Sequence, residues 1–258
     1  MTGIINLSLV PLRVSDSESS EMSSQLLFGE KVRIIEDKDK WFKIQNLADN
    51  YCGWVDKKMI HILTTEVEEN ISNLHGYYVS IPLLECIKTV SNEKMFLPGG
   101  SIIYNLLDGK FSIANEEFQI KITQNVNCTE ISDQTIVELA KQYLNSPYLW
   151  GGKSLMGIDC SGLVQVVFSM IGKIIPRDAS QQVDNGTVVD FLSEVKAGDL
   201  AFFENTEGKI IHVGVLINQY QIIHASGWVK IENIDSQGII SSQTGEYTHK
   251  LRIIKRLI

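Results

Sequence analysis

Residues 148–164 read Tyr148-Leu-Trp-Gly-Gly-Lys-Ser-Leu-Met-Gly-Ile-Asp-Cys-Ser-Gly-Leu-Val164. This segment is a glycine-rich loop that leads into an apolar run, and Cys160 stands at the junction. A thiol at the start of a helix lies near free backbone N–H groups and the positive end of the helix dipole, and both stabilise a thiolate. The same N–H groups can donate to a developing oxyanion. The segment therefore predicts a helix that begins near Asp159 and carries a nucleophilic cysteine in its first turn.

A thiolate nucleophile needs a base, and two downstream histidines are candidates. His212 opens an apolar run over residues 212–217, and His224 lies near the end of the next run, over residues 221–225. If these runs are neighbouring antiparallel strands, one imidazole can take the thiol proton while the other holds its tautomer and orientation. Each of the three residues alone is more often structural than functional, but their combination with a glycine-rich helix start favours catalysis.

A zinc site built from the same cysteine and histidines is an alternative, because these are zinc-ligand types. The sequence offers no evident fourth ligand and no CxxC or HxxxH pair. We therefore rank zinc binding below catalysis and expect neither a metal nor a cofactor.

The C-terminal half has helical patterns first and strand patterns afterwards. Apolar residues recur at helical spacing over residues 136–144, with Ser132 or Asp133 as the cap and Pro147 beyond the end. Strand patterns follow over residues 199–203, 212–217, 221–225 and 251–254. This order predicts an α+β domain.

The first 125 residues have the pattern of short strands joined by polar turns, which is typical of small β-barrels. Strand patterns cover residues 31–36, 41–45 and 51–55. A second and weaker unit covers roughly residues 64–123, with a turn signal at Leu97-Pro-Gly-Gly100. A polar stretch over residues 125–133 is the expected linker.

Composition excludes several classes of protein. With 44% hydrophobic and 21% charged residues in 258, the chain is globular, and its net charge of −8 without a basic cluster argues against nucleic-acid binding. No apolar run approaches the roughly 18 residues that span a bilayer. Residues 1–14 lack a leader pattern, so we expect a cytoplasmic, monomeric protein, or an exported one if a leader has been removed. We expect three of the four cysteines to be small buried apolar residues: Cys52, Cys86 and Cys128.

Five ordered motifs resemble the NlpC/p60 cysteine peptidases, which are bacterial cell-wall enzymes of papain-like fold. The motifs occupy residues 148–152, 159–163, 197–203, 212–215 and 224–226. Upstream, Phe28-Gly-Glu30, Trp41 and Gly53-Trp-Val55 resemble a bacterial SH3-like domain. The resemblance implies an NlpC/p60 domain over residues 126–258, preceded by SH3-like domains over residues 1–63 and 64–125.

The resemblance is greatest to the γ-D-glutamyl-L-diamino acid endopeptidases of the dipeptidyl-peptidase VI type. By position, it makes Cys160 the nucleophile, His212 the general base and acid, His224 the orienting residue and Tyr148 a helper at the oxyanion. It implies a substrate of the form L-Ala-γ-D-Glu-diamino acid, derived from peptidoglycan stem peptides and cut after D-Glu. A free N-terminal L-Ala is preferred in that subgroup, which implies a role in muropeptide recycling.

The same resemblance implies a set of substrate contacts. A buried ammonium needs a carboxylate partner, and Asp159 matches the family position for this role. The first SH3-like domain closes one end of the groove in that subgroup. The remaining expected contacts are Ser161, Trp150, Asp178, Tyr51 and Glu21.

Two other functions stay open at this point. The chain could be a non-catalytic peptidoglycan-binding protein, although such a degenerate domain should have lost Cys160 or a histidine. It could also be an amidase or acyltransferase that applies the same Cys–His chemistry to a lipid or another amide. The sequence also leaves open whether lysine or meso-diaminopimelate is the diamino acid, and whether the substrate is a free muropeptide or a polymer.

Overall fold

The computed structural model describes residues 1–72, 76–113, 115–121 and 133–258. Its internal contacts divide the chain into two units: Met1–Cys128 with Ser169–Ile174, and Thr129–Phe168 with Ile175–Ile258. Most of the predicted linker, the possible cap Ser132 and the cysteine Cys128 lie outside the described residues.

The first part of the first unit is a seven-stranded antiparallel sheet around one hydrophobic core. Its order along the sheet is β3-β2-β6-β5-β4-β1-β7. Strand β5 covers this core with one face only, since Phe42 and Ile44 point into the core and their neighbours point outward. The strands are β1 (Thr2–Ile4), β2 (Leu9–Arg13), β3 (Met22–Leu27), β4 (Lys31–Lys38), β5 (Trp41–Asn46), β6 (Cys52–Asp56) and β7 (His61–Ile62).

The second part of the first unit contains a helix that the strand pattern does not predict. Helix α1 (Thr65–Ser72) begins where the hydroxyl of Thr64 accepts a hydrogen bond from the backbone N–H of Val67. The capping hydroxyl and the glutamates that follow, which favour helices, stabilise a helix here although the surrounding pattern predicts strands.

Six strands follow α1 and form a four-stranded sheet, in the order β10-β9-β13-β12, and a separate pair, β11-β8. Their core also contains Ile4 and Phe28 from the first part, with Phe28 edge-on to Phe111 and Phe118. The SH3-like character of this second segment stays a prediction. The strands are β8 (Gly76–Tyr78), β9 (Leu83–Lys88), β10 (Lys94–Pro98), β11 (Ile102–Tyr104), β12 (Lys110–Ile113) and β13 (Glu116–Ile120).

The second unit has its helices before its main sheet, so the predicted α+β order is confirmed there. The described chain as a whole is nevertheless strand-rich, because strands dominate both units. The helices are α2 (Asp133–Lys141), α3 (Cys160–Met170) and α4 (Ala179–Gln182). None of the helices among the described residues is long and apolar enough to cross a membrane.

The main sheet of the second unit closes on itself. Its order is β16-β22-β17-β18-β19-β20-β21, and β21 also pairs with β22, which joins six strands into a barrel. The short hairpin β14 (Lys153–Ser154) and β15 (Gly157–Ile158) precedes α3. The remaining strands are β16 (Thr187–Val189), β17 (Leu200–Glu204), β18 (Ile210–Asn218), β19 (Gln221–Ser226), β20 (Trp228–Ile234), β21 (Gly238–Ile240) and β22 (Tyr247–Arg256).

The cysteines differ in exposure, and one expectation about them is wrong. Cys86 is a buried core residue, as expected, but Cys52 is exposed. Cys52 opens β6 at an outward-facing position, opposite Gln45 of β5. Because side chains alternate across a strand, Gly53 and not Cys52 faces the core there.

Candidate active site

Cys160 is the first residue of α3, as predicted, and the loop before the helix packs tightly against it. A Cβ atom placed on Gly162 would lie 2.3 Å from the carbonyl oxygen of Gly152. Only a glycine therefore fits at position 162, because the glycine-rich loop lies directly against the helix there. This close packing fixes the position of the thiol relative to the loop.

Cys160 is buried, with 7% of the residue exposed. Burial, with a contribution from the Asp159 carboxylate, raises the pKa of the Cys160 thiol to about 11. Backbone hydrogen bonds to Val213 and Ser161 lower that pKa, but not enough to offset the burial. The resting thiol is therefore protonated at neutral pH, and nucleophilic attack requires a base that removes its proton.

The two predicted histidines lie on neighbouring antiparallel strands, β18 and β19. His212 Nε2 is 3.0 Å from His224 Nδ1, and the other nitrogen of His224, Nε2, is 2.9 Å from a carboxylate oxygen of Glu232. Burial lowers the pKa of His212 well below its ordinary value, with further lowering by His249 and His224. Burial also lowers the pKa of His224, although Glu232 opposes this shift. Both imidazoles are therefore neutral at neutral pH.

The carboxylate of Glu232 fixes the tautomers of His224 and His212. Burial would raise the pKa of Glu232, but the hydrogen bonds from His224 and from the backbone N–H of Ser242 lower it to about 2. An ionised Glu232 can only accept, so His224 donates from Nε2 and accepts at Nδ1 from the Nε2–H of His212. The lone pair of His212 is then on Nδ1, which is the atom left to accept a proton from the thiol.

Glu232 could not be predicted as a site residue, because its strand β20 has no clear strand pattern in the sequence. The segment Trp228–Ile234 alternates only imperfectly, with Lys230 and Glu232 inside it. In the structure Glu232 is buried, and both its oxygens are used: Ser242 donates to Oε1 from its backbone N–H and its hydroxyl. The signal in the sequence is an acidic residue, Glu232, on a partly apolar segment that follows His224.

A third histidine, His249, also lies at the site and was not predicted. Its ring stacks on His212 with 4.1 Å between ring centroids, and its Nδ1 is 2.9 Å from the hydroxyl of Thr248. Burial, with a further contribution from His224, lowers the pKa of His249 to about 4. The predicted last strand began at residue 251, whereas β22 begins at Tyr247 and so includes His249. Ligand nitrogens of His212, His224 and His249 all lie within 4.8 Å of one another.

Asp159 is buried and already has a cationic partner. Arg177 donates to both its oxygens, at 3.0 Å and 2.5 Å, and the backbone N–H groups of Gly151 and Gly162 donate to it at 2.8 Å and 2.7 Å. Ser161 joins this network, since Arg177 donates to its hydroxyl at 2.8 Å. Asp159 and Ser161 therefore hold the loop and the start of α3 together. Their contact with a substrate ammonium stays a prediction.

The thiol and His212 line one pocket of about 300 Å³. Burial, with the nearby Cys160 and Asp159, raises the pKa of Tyr148 to about 12, so its hydroxyl stays protonated and can donate. A larger groove of about 870 Å³ in the first unit has neither cysteine nor histidine in its lining. The pocket at Cys160 is lined by Tyr148, Cys160, Ile211, His212, Ala225, Ser226, Gly227 and His249.

The other predicted contacts lie outside the lining of this pocket. Trp150 is 59% exposed, and Asp178 precedes α4, where its backbone carbonyl accepts from Gln181 and Gln182. In the first unit, Tyr51 packs against the core of the seven-stranded sheet, and Glu21 is exposed just before β3. The substrate contacts of these four residues stay predictions.

Comparisons with known proteins agree with the fold. A model of the NlpC/P60 family matches residues 145–248, and a model of the bacterial dipeptidyl-peptidase Sh3 domain matches residues 12–60. The chain is 29% identical over 220 residues to the γ-D-glutamyl-L-lysine dipeptidyl-peptidase of Bacillus subtilis (strain 168), covering 79% of this chain and 72% of that protein. It is 31% identical over 141 residues to a probable endopeptidase NlpC homolog of Haemophilus influenzae, covering 52% of this chain and 70% of that protein.

A solved structure has the same fold over the whole chain. The crystal structure of an NlpC/P60 family protein from Bacillus cereus ATCC 10987 superposes with a TM-score of 0.85 at 19% identity. The match covers 100% of this chain and 99% of that one.

Proposed function

This chain is a peptidase of the NlpC/P60 family with a bacterial SH3 domain in its N-terminal unit, and we propose that it cuts the γ-D-glutamyl–diamino acid bond of peptidoglycan stem peptides. The observation that carries the proposal is the shared pocket of Cys160 and His212, with His224 and Glu232 aligned behind the base. The proposal assigns the nucleophile to the start of α3 and its base to β18. The dipeptidyl-peptidase name of the Bacillus subtilis relative supports the bond and the substrate class.

The reaction follows from the protonation states of the site. His212 accepts the thiol proton at Nδ1 as Cys160 Sγ attacks the γ-carbonyl carbon of D-Glu. The imidazolium that forms is stabilised through His224 by the negative charge of Glu232, as the carboxylate of a serine-protease triad stabilises its histidine. The backbone N–H of Cys160 at the helix start and the hydroxyl of Tyr148 donate to the oxyanion.

Collapse of the tetrahedral intermediate breaks the C–N bond. His212 returns its proton to the departing amine of the diamino acid. The L-Ala-D-Glu part stays bound to Cys160 as a thioester. Water then attacks the thioester with His212 as base, which releases the γ-carboxylate of D-Glu and restores the thiol. Protons and electrons balance over the cycle, since one water is consumed for each peptide bond cut.

A free N-terminal L-Ala is part of the proposal. An ammonium close to Asp159 would share a carboxylate that already has Arg177 as its partner, and charge-assisted hydrogen bonds of this kind are strong in buried sites. Substrates whose amine is blocked should therefore bind poorly. The exopeptidase-like name of the relative is consistent with this preference.

The test uses L-Ala-γ-D-Glu-meso-diaminopimelate, its L-lysine analogue and the N-acetylated form of each. We expect release of the dipeptide L-Ala-D-Glu from the free peptides, and loss of all release in Cys160→Ala. Cys52→Ala is the matched control, because Cys52 is an exposed cysteine of the first unit. Equal cleavage of the acetylated peptides would remove the free-amine requirement. A wild type that cuts none of the four peptides would overturn the proposed reaction.

A further inference from the structure

His249 lines the pocket of Cys160, but the reaction derived above gives it no role. It lies near the start of β22, and its ring stacks on that of His212 with 4.1 Å between the centroids and 27° between the ring planes. Nearly parallel planes at this distance mean that the two rings touch through their faces. His249 therefore contacts the face of the base that takes the thiol proton.

The hydrogen bond to His224 leaves one movement of His212 open. It holds Nε2 of His212 at 3.0 Å from Nδ1 of His224, while the Cβ atom holds the opposite end of the ring. Rotation about the Cβ–Cγ bond would turn Nδ1 away from the thiol and only bend this hydrogen bond, which weakens steeply only at large angles. A ring stacked on the face of His212 opposes that rotation, because the moving edge would collide with it.

His249 is itself held in place by its neighbours. Its Nδ1 is 2.9 Å from the hydroxyl of Thr248. Its ring also lies edge-on to Phe203 and to His224, with centroid distances of 6.0 Å and 5.7 Å and angles of 68° and 79° between the planes. Edge-to-face contacts are a preferred arrangement of aromatic rings. The stacked ring is therefore a fixed surface against which His212 can be aligned.

The charge state of His249 suits this role. Burial lowers its pKa to about 4, with further lowering by His224 and Lys230 and an opposing contribution from Glu232. A positive charge on His249 would lower the pKa of His212 and weaken it as a base. Because His249 is neutral at neutral pH, it does not oppose the imidazolium that forms on His212.

We propose that His249 is a positioning residue for the base: its neutral ring, stacked on His212, keeps Nδ1 of His212 directed at the thiol of Cys160. His249 exchanges no proton and forms no bond in the reaction. The role requires an aromatic face at this position and no hydrogen bond from it. The effect on peptide cleavage rests on the proposed function, but transfer of the thiol proton to His212 can be measured without a peptide.

The first experiment measures the reactivity of the thiol in the absence of peptide. Iodoacetamide alkylates the thiolate, so its rate at Cys160 reports how readily His212 removes the thiol proton. His249→Leu keeps an apolar side chain but removes the aromatic face. We expect it to slow alkylation at least about 10-fold, which is part of the roughly 10²–10⁴-fold that a well-placed base supplies. His249→Phe restores an aromatic face and should recover most of the lost rate.

Two controls accompany these rates, which are read at each cysteine by peptide mass spectrometry below the unfolding temperature of every variant. Alkylation of Cys52, an exposed cysteine of the first unit, should be equally fast in all variants. His61→Leu removes an imidazole from β7 and should leave the rate at Cys160 unchanged. Equal rates at Cys160 in wild type and His249→Leu would overturn the proposal. Equal slowing in His249→Leu and His249→Phe would also overturn it, because an aromatic face would then not be what matters.

A second experiment separates positioning of the base from contact with the substrate. In steady-state cleavage of L-Ala-γ-D-Glu-meso-diaminopimelate, His249→Leu should lower kcat at least about 10-fold with KM little changed, and His249→Phe should recover most of kcat. A rise in KM with kcat unaltered would make His249 a substrate contact and overturn the positioning role. A wild type that cuts no peptide would contradict the proposed function, and the rates of thiol alkylation would still decide the role of His249.

Discussion

Glu232 contributes to the site through two other side chains, because its carboxylate fixes His224 and His224 fixes His212. At the scale of single residues, the site depends on which ring nitrogen of each histidine carries the proton. Cys160, His212 and His224 could be predicted from the sequence, since each stands in a recognisable motif. Glu232 and His249 could not, because β20, which pairs with β19, and the start of β22, which pairs with β21, have no clear strand pattern in the sequence.

Replacing Glu232 by glutamine keeps its shape and removes its charge. We expect kcat to fall on the order of 10²-fold with KM little changed, because an amide can hold His224 in the other tautomer and cannot stabilise an imidazolium. The measurement is steady-state cleavage of L-Ala-γ-D-Glu-meso-diaminopimelate. Glu207→Gln, in an exposed ion pair with Lys209, should leave kcat unchanged. A change in KM with kcat unaltered would contradict a positioning role for Glu232.

The ion pair of Arg177 and Asp159 is 2% and 6% exposed, so each charge depends on the other. Arg177→Met leaves the Asp159 carboxylate buried without its cation, and we expect the free energy of unfolding to fall by about 3–5 kcal/mol. Denaturant unfolding followed by circular dichroism measures this. Arg252→Met removes an exposed partner of Glu204 and should change stability far less, because solvent screens exposed ion pairs. A similar small loss for both variants would show that the buried pair is not structural.

At the scale of elements, α3 and strands β18 and β19 could be predicted because their apolar runs are long and bounded by glycine or polar residues. The strand pattern is weak in β20 and in the first half of β22, where polar residues such as Lys230 and Thr248 interrupt the alternation of apolar and polar residues. Strand β20 pairs with its sequence neighbours β19 and β21, whereas β22 pairs with β21 and with β17, which is distant in the sequence. Helix α1 was missed for the opposite reason, since local capping at Thr64 outweighs the surrounding strand pattern.

The junction of the glycine-rich loop and α3 has no room for a side chain at Gly162. In Gly162→Ala the new methyl group would meet the carbonyl oxygen of Gly152 at 2.3 Å, so we expect a loss of about 1–3 kcal/mol in unfolding free energy. Thermal unfolding of the variant beside the wild type measures the loss. Ser180→Ala, at an exposed position of α4, should change stability by less than about 0.5 kcal/mol. An unchanged midpoint for Gly162→Ala would mean that the loop can move away from the helix.

At the scale of the whole molecule, the sequence predicts a strand-rich part first and the nucleophile in the second half, and the predicted domain bounds stay predictions. The boundary inside the first 125 residues was harder to predict. Ile4 and Phe28 contribute to the core around β9 and β13, so the two predicted barrels share packing that sequence spacing does not reveal.

The cysteines of the first unit should differ sharply in reactivity. Burial raises the pKa of Cys86 to about 12, so only about one thiol in 10⁴ is ionised at pH 8, whereas Cys52 is exposed. Brief treatment of the native protein with iodoacetamide at that pH should alkylate Cys52 and leave Cys86 unmodified, as measured by peptide mass spectrometry. Unfolding in urea should make both react. Equal labelling in the native state would contradict the packing of the β9 sheet.

The pairing of β21 with β22 has an effect beyond the catalytic geometry. An open sheet ends in a row of unsatisfied backbone donors and acceptors, which can template the addition of a strand from another chain. In the described part of the second unit, β22 pairs with β17 on one side and with β16 and β21 on the other, so the ring of six strands has no such row. The histidine-bearing strands are therefore protected from edge-to-edge aggregation, and a substrate peptide must be recognised by loops and side chains and not by extending the barrel.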